Sequence, residues 1–361
     1  MQKGWEHLWV VVLETGESSR SEPETSSAEP PIVPKPFRSL DGRRTIFGRA
    51  LERAARIVPR RRLVAAVLEC HRRWWRGELT GLPSENVVVL PRDRGTGTAI
   101  LSAFLSIFFR FDSEARILVL PSEQYVGDEK VLRQALEEAC EAADGLESRG
   151  VLLGIQPENI DANHEWILSC SSVESGAREV ISVIEKPWCV EPADLKEAGG
   201  LWNSFMFVAN VTAMFRLFET SVPWLMQAML PVARQGGGLQ PEALRALYSS
   251  LPATDFSRDI LQVSPELFSV VPVPPCGWID LGSPSRVNRF LDRLRSAIDR
   301  RNGAAEAASG SAQMDPRDDR GRRRALETGA ATRAMGGRSR SAFLPEARPM
   351  RADLGGQKPA P

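Results

Sequence analysis

The residues with the clearest chemical use in this sequence are bases and acids that follow short apolar runs. Arg20 and Lys35 lie in and after a loop that contains Gly16, and fixed positive charge beside exposed backbone N–H groups is what a triphosphate requires. Glu123 and Asp280 supply carboxylates, which a hard cation such as Mg²⁺ prefers as ligands. Considered singly, each residue also has a purely structural explanation, as part of a linker, an N-cap or a salt bridge.

Two other segments combine charged or amide groups with neighbours suited to a sugar. Glu185 and Lys186 are adjacent and precede a proline, and Asn203 lies within the run Leu201-Trp-Asn-Ser-Phe-Met-Phe207. An amide among aromatic side chains suits the binding of a sugar ring. It equally suits a buried strand in which Asn203 bonds to backbone groups.

The elements that must position these residues alternate between strands and helices. Helical patterns cover Ala99–Phe109, with Thr96 or Thr98 as the expected N-cap, as well as Glu129–Ala143 and the segment Ser221–Leu251. Short, continuously apolar runs predict buried strands at Leu8–Leu13, Leu63–Leu68, Val87–Leu90, Ile117–Leu120, Val151–Ile155 and Val180–Ile184. This alternation predicts an α/β fold with a doubly wound, Rossmann-like sheet that binds ligands at the carboxyl ends of its strands.

Composition excludes several classes of protein. The 361 residues include 46 basic and 46 acidic side chains, so the formal net charge is zero, which argues against a surface built to hold nucleic acid or a membrane. The apolar run Leu8–Leu13 is too short to span a bilayer, and no signal peptide is expected before it. Five cysteines without a C-x-x-C pair indicate free thiols in the cytoplasm.

The chain is expected to contain one folded domain and one tail. Residues 1–300 carry the strands, helices and chemical groups. Residues 301–361 are rich in Arg, Gly, Ala and Pro with almost no periodic apolar positions. Such a segment cannot bury enough apolar surface to offset the entropy of ordering, so we expect it to be disordered.

Taken in order, these segments resemble motifs of the sugar-phosphate nucleotidyltransferases, most closely the bacterial mannose-1-phosphate guanylyltransferases. The family motifs are L-A-G-G-x-G-T-R, P-K-Q-F, P-x-N-R-G-T-A-P, L-P-S-D-H, E-K-P, W-N-S-G-M-F and G-W-x-D-x-G. Their counterparts here are Leu13–Arg20, Pro34–Phe37, Pro91–Thr98, Leu120–Gln124, Glu185–Pro187, Trp202–Phe207 and Gly277–Gly282.

The resemblance implies a GT-A-like, mixed and mainly parallel sheet with helices on both faces, and a defined reaction. GMP would pass from GTP to a hexose 1-phosphate, namely mannose 1-phosphate, giving GDP-mannose and pyrophosphate with Mg²⁺ as cofactor. The implied roles are catalysis by Arg20 and Lys35, nucleotide binding by Gly16, Gly95 and Thr96, sugar-phosphate binding by Glu185, Lys186 and Asn203, and metal binding by Asp280 and Glu123. Neither a membrane nor a nucleic acid partner is expected, and the oligomeric state is left open.

Several positions depart from the family motifs, which keeps a second hypothesis open. Thr15, Ser18 and Phe205 replace family glycines, Glu123 replaces an aspartate, and Asn163-His164-Glu165 stands at the family's G-Y-G. Strain at a position that needs glycine costs about 1–3 kcal/mol. The alternative is therefore a catalytically impaired relative that acts as a sugar-nucleotide-binding or regulatory protein.

Overall fold

The computed structural model describes residues 5–14, 33–40, 42–160, 163–185, 190–282, 286–288 and 290–292. Arg20, Gly16 and Lys186 lie outside these described residues, as do the predicted tail at 301–361 and the domain boundary at 300. The two-part domain organisation therefore stays a prediction.

Strands and helices alternate through the described part of the chain. The strands are β1 (Leu8–Leu13), β2 (Leu63–Leu68), β3 (Val87–Leu90), β4 (Arg116–Pro121), β5 (Gln124–Tyr125), β6 (Gly150–Ile155), β7 (Trp166–Glu174), β8 (Ala177–Ile184), β9 (Leu201–Asn210), β10 (Phe268–Val273) and β11 (Ile279–Asp280). The helices are α1 (Ile46–Ile57), α2 (Arg72–Glu78), α3 (Gly95–Arg110), α4 (Glu129–Gly145), α5 (Pro192–Glu197), α6 (Val211–Ser221), α7 (Pro223–Gly236) and α8 (Pro241–Ser250).

One mixed sheet organises these elements in the order β3-β2-β1-β4-β9-β6-β10-β8-β7. The strands β3, β2, β1 and β4 are parallel to one another, and β6 is parallel to β10. Antiparallel β9 lies between β4 and β6 and joins the two parallel parts, and it also pairs with β7. The remaining pair, β5 and β11, forms a separate antiparallel ribbon.

The apolar side chains of the sheet form a core on each of its faces. Side chains alternate along a strand, so Val10 and Val12 of β1 join one core while Val11 and Leu13 join the other. The first core is completed by α1 and α4, and the second by α3, α6 and α7. The mixed sheet with helices on both faces is thus confirmed. Within the described residues, no helix has the length and apolar character needed to cross a membrane.

The local predictions succeed where apolar runs are continuous. Five of the six predicted strands correspond to buried or largely buried strands, namely β1, β2, β3, β4 and β6. The sixth, Val180–Ile184, lies in β8, but it is antiparallel to both neighbours and partly exposed, so its interpretation as a buried parallel strand was wrong. The predicted helical segment Ser221–Leu251 contains α7 and α8, because α7 ends at Gly236 and its C-cap Gly237 has a left-handed backbone.

The N-cap prediction for α3 was wrong. This helix begins at Gly95 and its N-cap is Arg94, without a capping side chain. The Thr98 hydroxyl donates to the Arg94 carbonyl at 2.9 Å, one turn back along the helix. The Thr96 hydroxyl instead accepts a hydrogen bond from the backbone N–H of Phe256.

Candidate functional site

The β5–β11 ribbon brings the two predicted metal ligands together, with Asp280 in β11 and Glu123 directly before β5. Asp280 of β11 lies opposite Gln124 of β5, and the N–H of Leu281 donates to the Glu123 carbonyl at 2.9 Å. Gly277 starts the turn into β11 with φ +63°, and a Cβ there would lie 3.4 Å from the Cα of Gly127. Because β5 follows β4 directly, both carboxylates lie at the carboxyl end of the parallel sheet, where such folds bind ligands.

Lys35 comes to this ribbon from a distant part of the sequence. It begins a short 3-10 turn, Lys35–Phe37, that starts after Pro34, and its side chain is buried. The ammonium lies 3.4 Å from Glu123 Oε2 and donates to the carbonyl of Gly282. A buried ammonium requires such partners to offset its desolvation. The predicted catalytic lysine and the predicted metal ligands are therefore in one place.

Asp280 is also paired with an arginine, Arg286, and sequence reasoning missed this partner. Its Oδ1 accepts a hydrogen bond from the N–H of Gly282 at 2.7 Å, and its Oδ2 forms an ion pair with Arg286. Arg286 has no motif around it that distinguishes it from the other arginines of the sequence. Each carboxylate of the ribbon thus faces one positively charged side chain.

The two carboxylates suit Mg²⁺, although they do not form a complete set of ligands. Protein Mg²⁺ sites take one or two carboxylates and complete their octahedra with water and substrate phosphate. Among the residues that the structure describes, no group of three or more His, Cys, Asp or Glu side chains is placed to hold a metal ion. Glu123 and Asp280 therefore fit a cation that arrives with a polyphosphate, in competition with Lys35 and Arg286.

Gly95 and Thr96 pack against the loop that precedes a π-helical turn, Ser257–Leu261. Gly95 has φ +83°, and a Cβ there would lie 2.2 Å from the Thr254 carbonyl oxygen. The N–H of Gly97 donates to that same oxygen at 2.9 Å. The glycine is required here by a contact within the protein, and the Thr96 hydroxyl is bonded to the same loop.

Asn203 is bound by a buried carboxylate, Glu165. Its amide nitrogen donates to Glu165 Oε2 at 2.5 Å, and its backbone N–H donates to the Glu165 carbonyl at 2.8 Å. Ser257 and Gln262, at either end of the π-helical turn, donate to Glu165 Oε1. Glu165 is only 6% exposed and stands where the family motif has glycine. The residue predicted to hold a sugar is therefore already bonded to the protein's own acid.

Burial raises the pKa of Glu165 above its ordinary value. The hydrogen bonds from Ser257, Asn203 and Gln262 oppose this rise, and the charge of Glu185 adds to it. Glu185 directly follows β8, whose last residue Ile184 pairs with Trp166, the neighbour of Glu165. Its role in binding a sugar phosphate stays a prediction.

A second buried acid, Glu14, lies at the carboxyl end of β1 and was also missed. Its Oε1 is 2.7 Å from His71 Nδ1, and its Oε2 accepts a hydrogen bond from the N–H of Leu68 at 2.9 Å. Burial raises the pKa of Glu14, and the bonds with His71 and Leu68 oppose that rise. The position directly after a parallel strand was the signal that would have identified it.

His71 completes this cluster. Burial by itself lowers the pKa of His71, but hydrogen bonds to Cys70 and Glu14 outweigh burial and raise the pKa to about 10. Phe37, in the same 3-10 turn as Lys35, packs its ring edge-on against His71 at a centroid distance of 5.9 Å. The Glu14–His71 pair therefore supports the segment that carries Lys35.

The described site residues are connected along one edge of the sheet. Lys35 contacts Glu123, and Asp280 lies opposite Gln124. The Gln124 amide donates to the Ser204 carbonyl of β9, next to Asn203. Asn203 is linked in turn through Glu165 and Ser257 to the loop that bonds Thr96. The structure does not describe Arg20, Gly16 or Lys186, so their places in the site remain predictions.

Comparison with curated proteins finds relatives of modest similarity. No family model matches the chain. A mannose-1-phosphate guanylyltransferase of Sinorhizobium fredii (strain NBRC 101917 / NGR234) is 27% identical over 205 residues, 56% of this chain and 40% of the relative. The alginate biosynthesis protein AlgA of Pseudomonas aeruginosa is 29% identical over 287 residues, 77% of this chain and 57% of the relative. The chain thus spans less than two thirds of the length of these relatives.

Comparison with solved structures supports the fold. The crystal structure of a protein described as mannose-1-phosphate geranyltransferase from Thermus thermophilus matches with a TM-score of 0.63 at 27% identity, covering 76% of each chain. The inositol-1-phosphate CTP transferase from T. maritima matches with a TM-score of 0.51 at 15% identity, covering 81% of this chain and 96% of that one. The second likeness concerns the fold alone.

Proposed function

We propose that this chain, a divergent member of the mannose-1-phosphate guanylyltransferase-like proteins, transfers a nucleotidyl group from a nucleoside triphosphate to a sugar 1-phosphate. The specific pair that we propose is GTP and mannose 1-phosphate, with GDP-mannose and pyrophosphate as products. The observation that carries the proposal is the junction of buried Lys35 with Glu123 beside Asp280 at the carboxyl edge of the sheet. Positive charge and metal-binding carboxylates at one edge are what a polyphosphate substrate requires.

The proposed reaction needs positioning and charge neutralisation and no covalent enzyme intermediate. A phosphate oxygen of the sugar 1-phosphate attacks the α-phosphorus in line, and pyrophosphate leaves. Lys35 neutralises charge on the triphosphate, and we assign the same role to Arg20. Asp280 and Glu123 would hold Mg²⁺, which supplies further neutralisation of phosphate charge when bound.

The remaining roles follow the family motifs. We propose that Gly16, Gly95 and Thr96 bind the nucleotide, and that Glu185, Lys186 and Asn203 bind the sugar phosphate. Asn203 keeps one amide hydrogen beyond the one that it gives to Glu165, so it can share its amide between Glu165 and a sugar hydroxyl. The four described cysteines are free, which supports a reducing compartment, and we propose the cytoplasm.

A second candidate function is sugar-nucleotide binding without turnover. The observation that favours it is the buried Glu165 carboxylate at Asn203, where the family motif has a glycine. A carboxylate close to an arriving sugar phosphate repels it, and its burial makes the repulsion stronger than at the surface. This arrangement weakens substrate binding and leaves the rest of the site in place.

Pyrophosphate release separates the two functions. The protein is incubated with GTP, mannose 1-phosphate and Mg²⁺, alongside Lys35→Ala and the matched variant Lys130→Ala on the exposed face of α4. Because Lys35 neutralises the triphosphate, we expect Lys35→Ala to lose about 100-fold or more in rate, and Lys130→Ala to keep the wild-type rate. If the wild type released pyrophosphate only at the background rate but still bound GDP-mannose in calorimetry, nucleotidyl transfer would be contradicted. Sugar-nucleotide binding would then be the function that the data support.

A further inference from the structure

Phe205 has a backbone conformation that large residues rarely adopt. Its φ is +57°, in the left-handed region, and the family motif has glycine at the same place. The side chain is 37% exposed, so the ring lies outside the fully buried core. A large apolar side chain that is both strained and exposed points to a role outside packing.

Side chains of its own strand hold this conformation. The N–H of Phe205 donates to Asn203 Oδ1 at 2.9 Å, and the N–H of Met206 donates to Ser204 Oγ at 3.2 Å. Ser204 Oγ is itself fixed by donating to the Leu153 carbonyl at 2.6 Å. The register of β9 against β6 shifts at the same place, so Phe205 is displayed on a bulge whose geometry is fixed by its neighbours.

The pairing of β9 with β4 places this bulge at the candidate site. Phe207 lies opposite Val119, and the two residues before Phe207 continue toward the carboxyl end of β4, from which the chain leads to Glu123. The Gln124 amide donates to the carbonyl of Ser204, the residue directly before Phe205. Phe205 therefore lies on the strand segment beside Gln124, which pairs with Asp280.

We infer that Phe205 is a specificity-determining residue that presents an apolar surface to the sugar of the substrate. It favours a hexose 1-phosphate that lacks a hydroxyl at the contact over the fully hydroxylated sugar. A sugar hydroxyl that contacts a phenyl ring loses its hydrogen bonds to water and gains none from the ring, which costs free energy. A deoxy carbon at the same place has no such hydrogen bonds to lose. This inference rests on the proposed function, since it assumes that a sugar phosphate occupies the site beside Asn203.

The preference for a deoxy sugar should be modest, because it arises from a single apolar contact. An apolar contact rejects an added hydroxyl only modestly, so we expect a preference of about tenfold, with about 100-fold as the upper bound. The preference must depend on the ring itself. Phe205→Gly removes both the ring and the backbone strain, and Phe205→Leu keeps an apolar side chain.

The test compares mannose 1-phosphate with its 2-, 3-, 4- and 6-deoxy analogues by calorimetry and by pyrophosphate release with GTP. We expect the wild type to bind one deoxy analogue about tenfold more tightly than mannose 1-phosphate, Phe205→Leu to keep part of this preference, and Phe205→Gly to lose it.

Ser175→Gly is the matched control. Ser175 also has a left-handed backbone, with φ +49°, but it lies in the exposed turn between β7 and β8. We expect the control to raise the melting temperature without changing the preference among sugars.

The results separate this inference from nucleotidyl transfer. An equal affinity for all five sugars, a preference that survives in Phe205→Gly, or no binding of any sugar phosphate would overturn the role of Phe205. A preference that depends on the ring, without pyrophosphate release from any sugar, would establish Phe205 as a sugar contact and overturn nucleotidyl transfer instead. Equal pyrophosphate release from all five sugars would leave the transfer intact and overturn the inference.

Discussion

At the scale of single residues, the charged and polar side chains of the site already have partners within the protein. Lys35 faces Glu123, Arg286 faces Asp280, and Asn203 faces Glu165. A ligand that binds here must share or break these internal ion pairs and hydrogen bonds. Each interaction that is broken lowers the affinity for the ligand. Glu165 is the clearest case, because its charge is buried and has the same sign as a sugar phosphate.

Replacing Glu165 with glutamine is expected to change binding and stability in opposite directions. The loss of the negative charge should tighten binding of mannose 1-phosphate by about tenfold, since a unit charge near the ligand contributes about 1 kcal/mol or more. Unfolding free energy should fall by about 1–3 kcal/mol, because an amide cannot accept all three hydrogen bonds that the carboxylate accepts. Calorimetry and urea denaturation measure the two effects.

Glu266→Gln is the matched control for this change, since Glu266 is exposed on the surface. Neither binding nor stability should change measurably in the control. If Glu165→Gln bound mannose 1-phosphate no better than the control does, the carboxylate would not oppose substrate.

At the scale of elements, two close backbone approaches determine where the site residues lie. One is the turn at Gly277, which brings β11 beside β5. The other is the contact between the start of α3 and the Thr254 loop, which is held by hydrogen bonds from Gly97 and to Thr96. At Gly95 a Cβ would overlap the Thr254 carbonyl, whereas Gly277 is favoured by its left-handed backbone, with φ +63°.

Gly95→Ala is therefore expected to destabilise the protein. The left-handed backbone costs alanine about 1–2 kcal/mol, and relieving the overlap with the Thr254 carbonyl costs about 1–3 kcal/mol more. Gly199→Ala isolates the first cost, because Gly199 has φ +78° with nothing within 4 Å of a Cβ. Urea denaturation should show a larger loss for Gly95→Ala than for Gly199→Ala, and equal losses would mean that the Thr254 loop moves freely.

At the scale of the whole molecule, the Glu14–His71 pair joins the ends of β1 and β2 to the 3-10 turn of Lys35. The ordinary pKa of histidine is 6.5, and the folded protein raises that of His71 to about 10. Between these values the folded chain binds a proton that the unfolded chain has lost. The stabilisation from His71 is therefore complete below about pH 6.5 and is lost as the pH rises toward 10.

His71→Gln tests this dependence. Urea denaturation at pH 6, 8 and 10 should show that the wild type exceeds the variant in stability at pH 6 and that the difference narrows toward pH 10. Glu14→Gln should reduce the same dependence, because it removes a hydrogen-bond partner that raises the pKa of His71. A difference that stays constant or widens with pH would contradict the raised pKa.

Most of the individual strands and helices follow from the local sequence alone. Continuous apolar runs such as Leu8–Leu13 have one low-energy arrangement, a strand buried on both faces, and the structure places β1 there. The order of the motifs that contain Lys35, Glu123 and Asp280 also predicted, through the resemblance to the family, that these residues act in one site. The order of the strands was not determined, because the antiparallel position of β9 between β4 and β6 depends on long-range pairing.

Which charged and polar side chains pair with each other depends on the packing of distant segments. Arg286 reaches Asp280, and Glu165 reaches Asn203 and the π-helical turn, through contacts between segments that no local pattern connects. The left-handed backbone of Phe205 is likewise set by hydrogen bonds from its strand neighbours against the residue's own preference. The propensity for a strand or helix depends on residues that are close in sequence. The partner of a buried charge depends instead on which distant segments pack together, because that packing removes both groups from water.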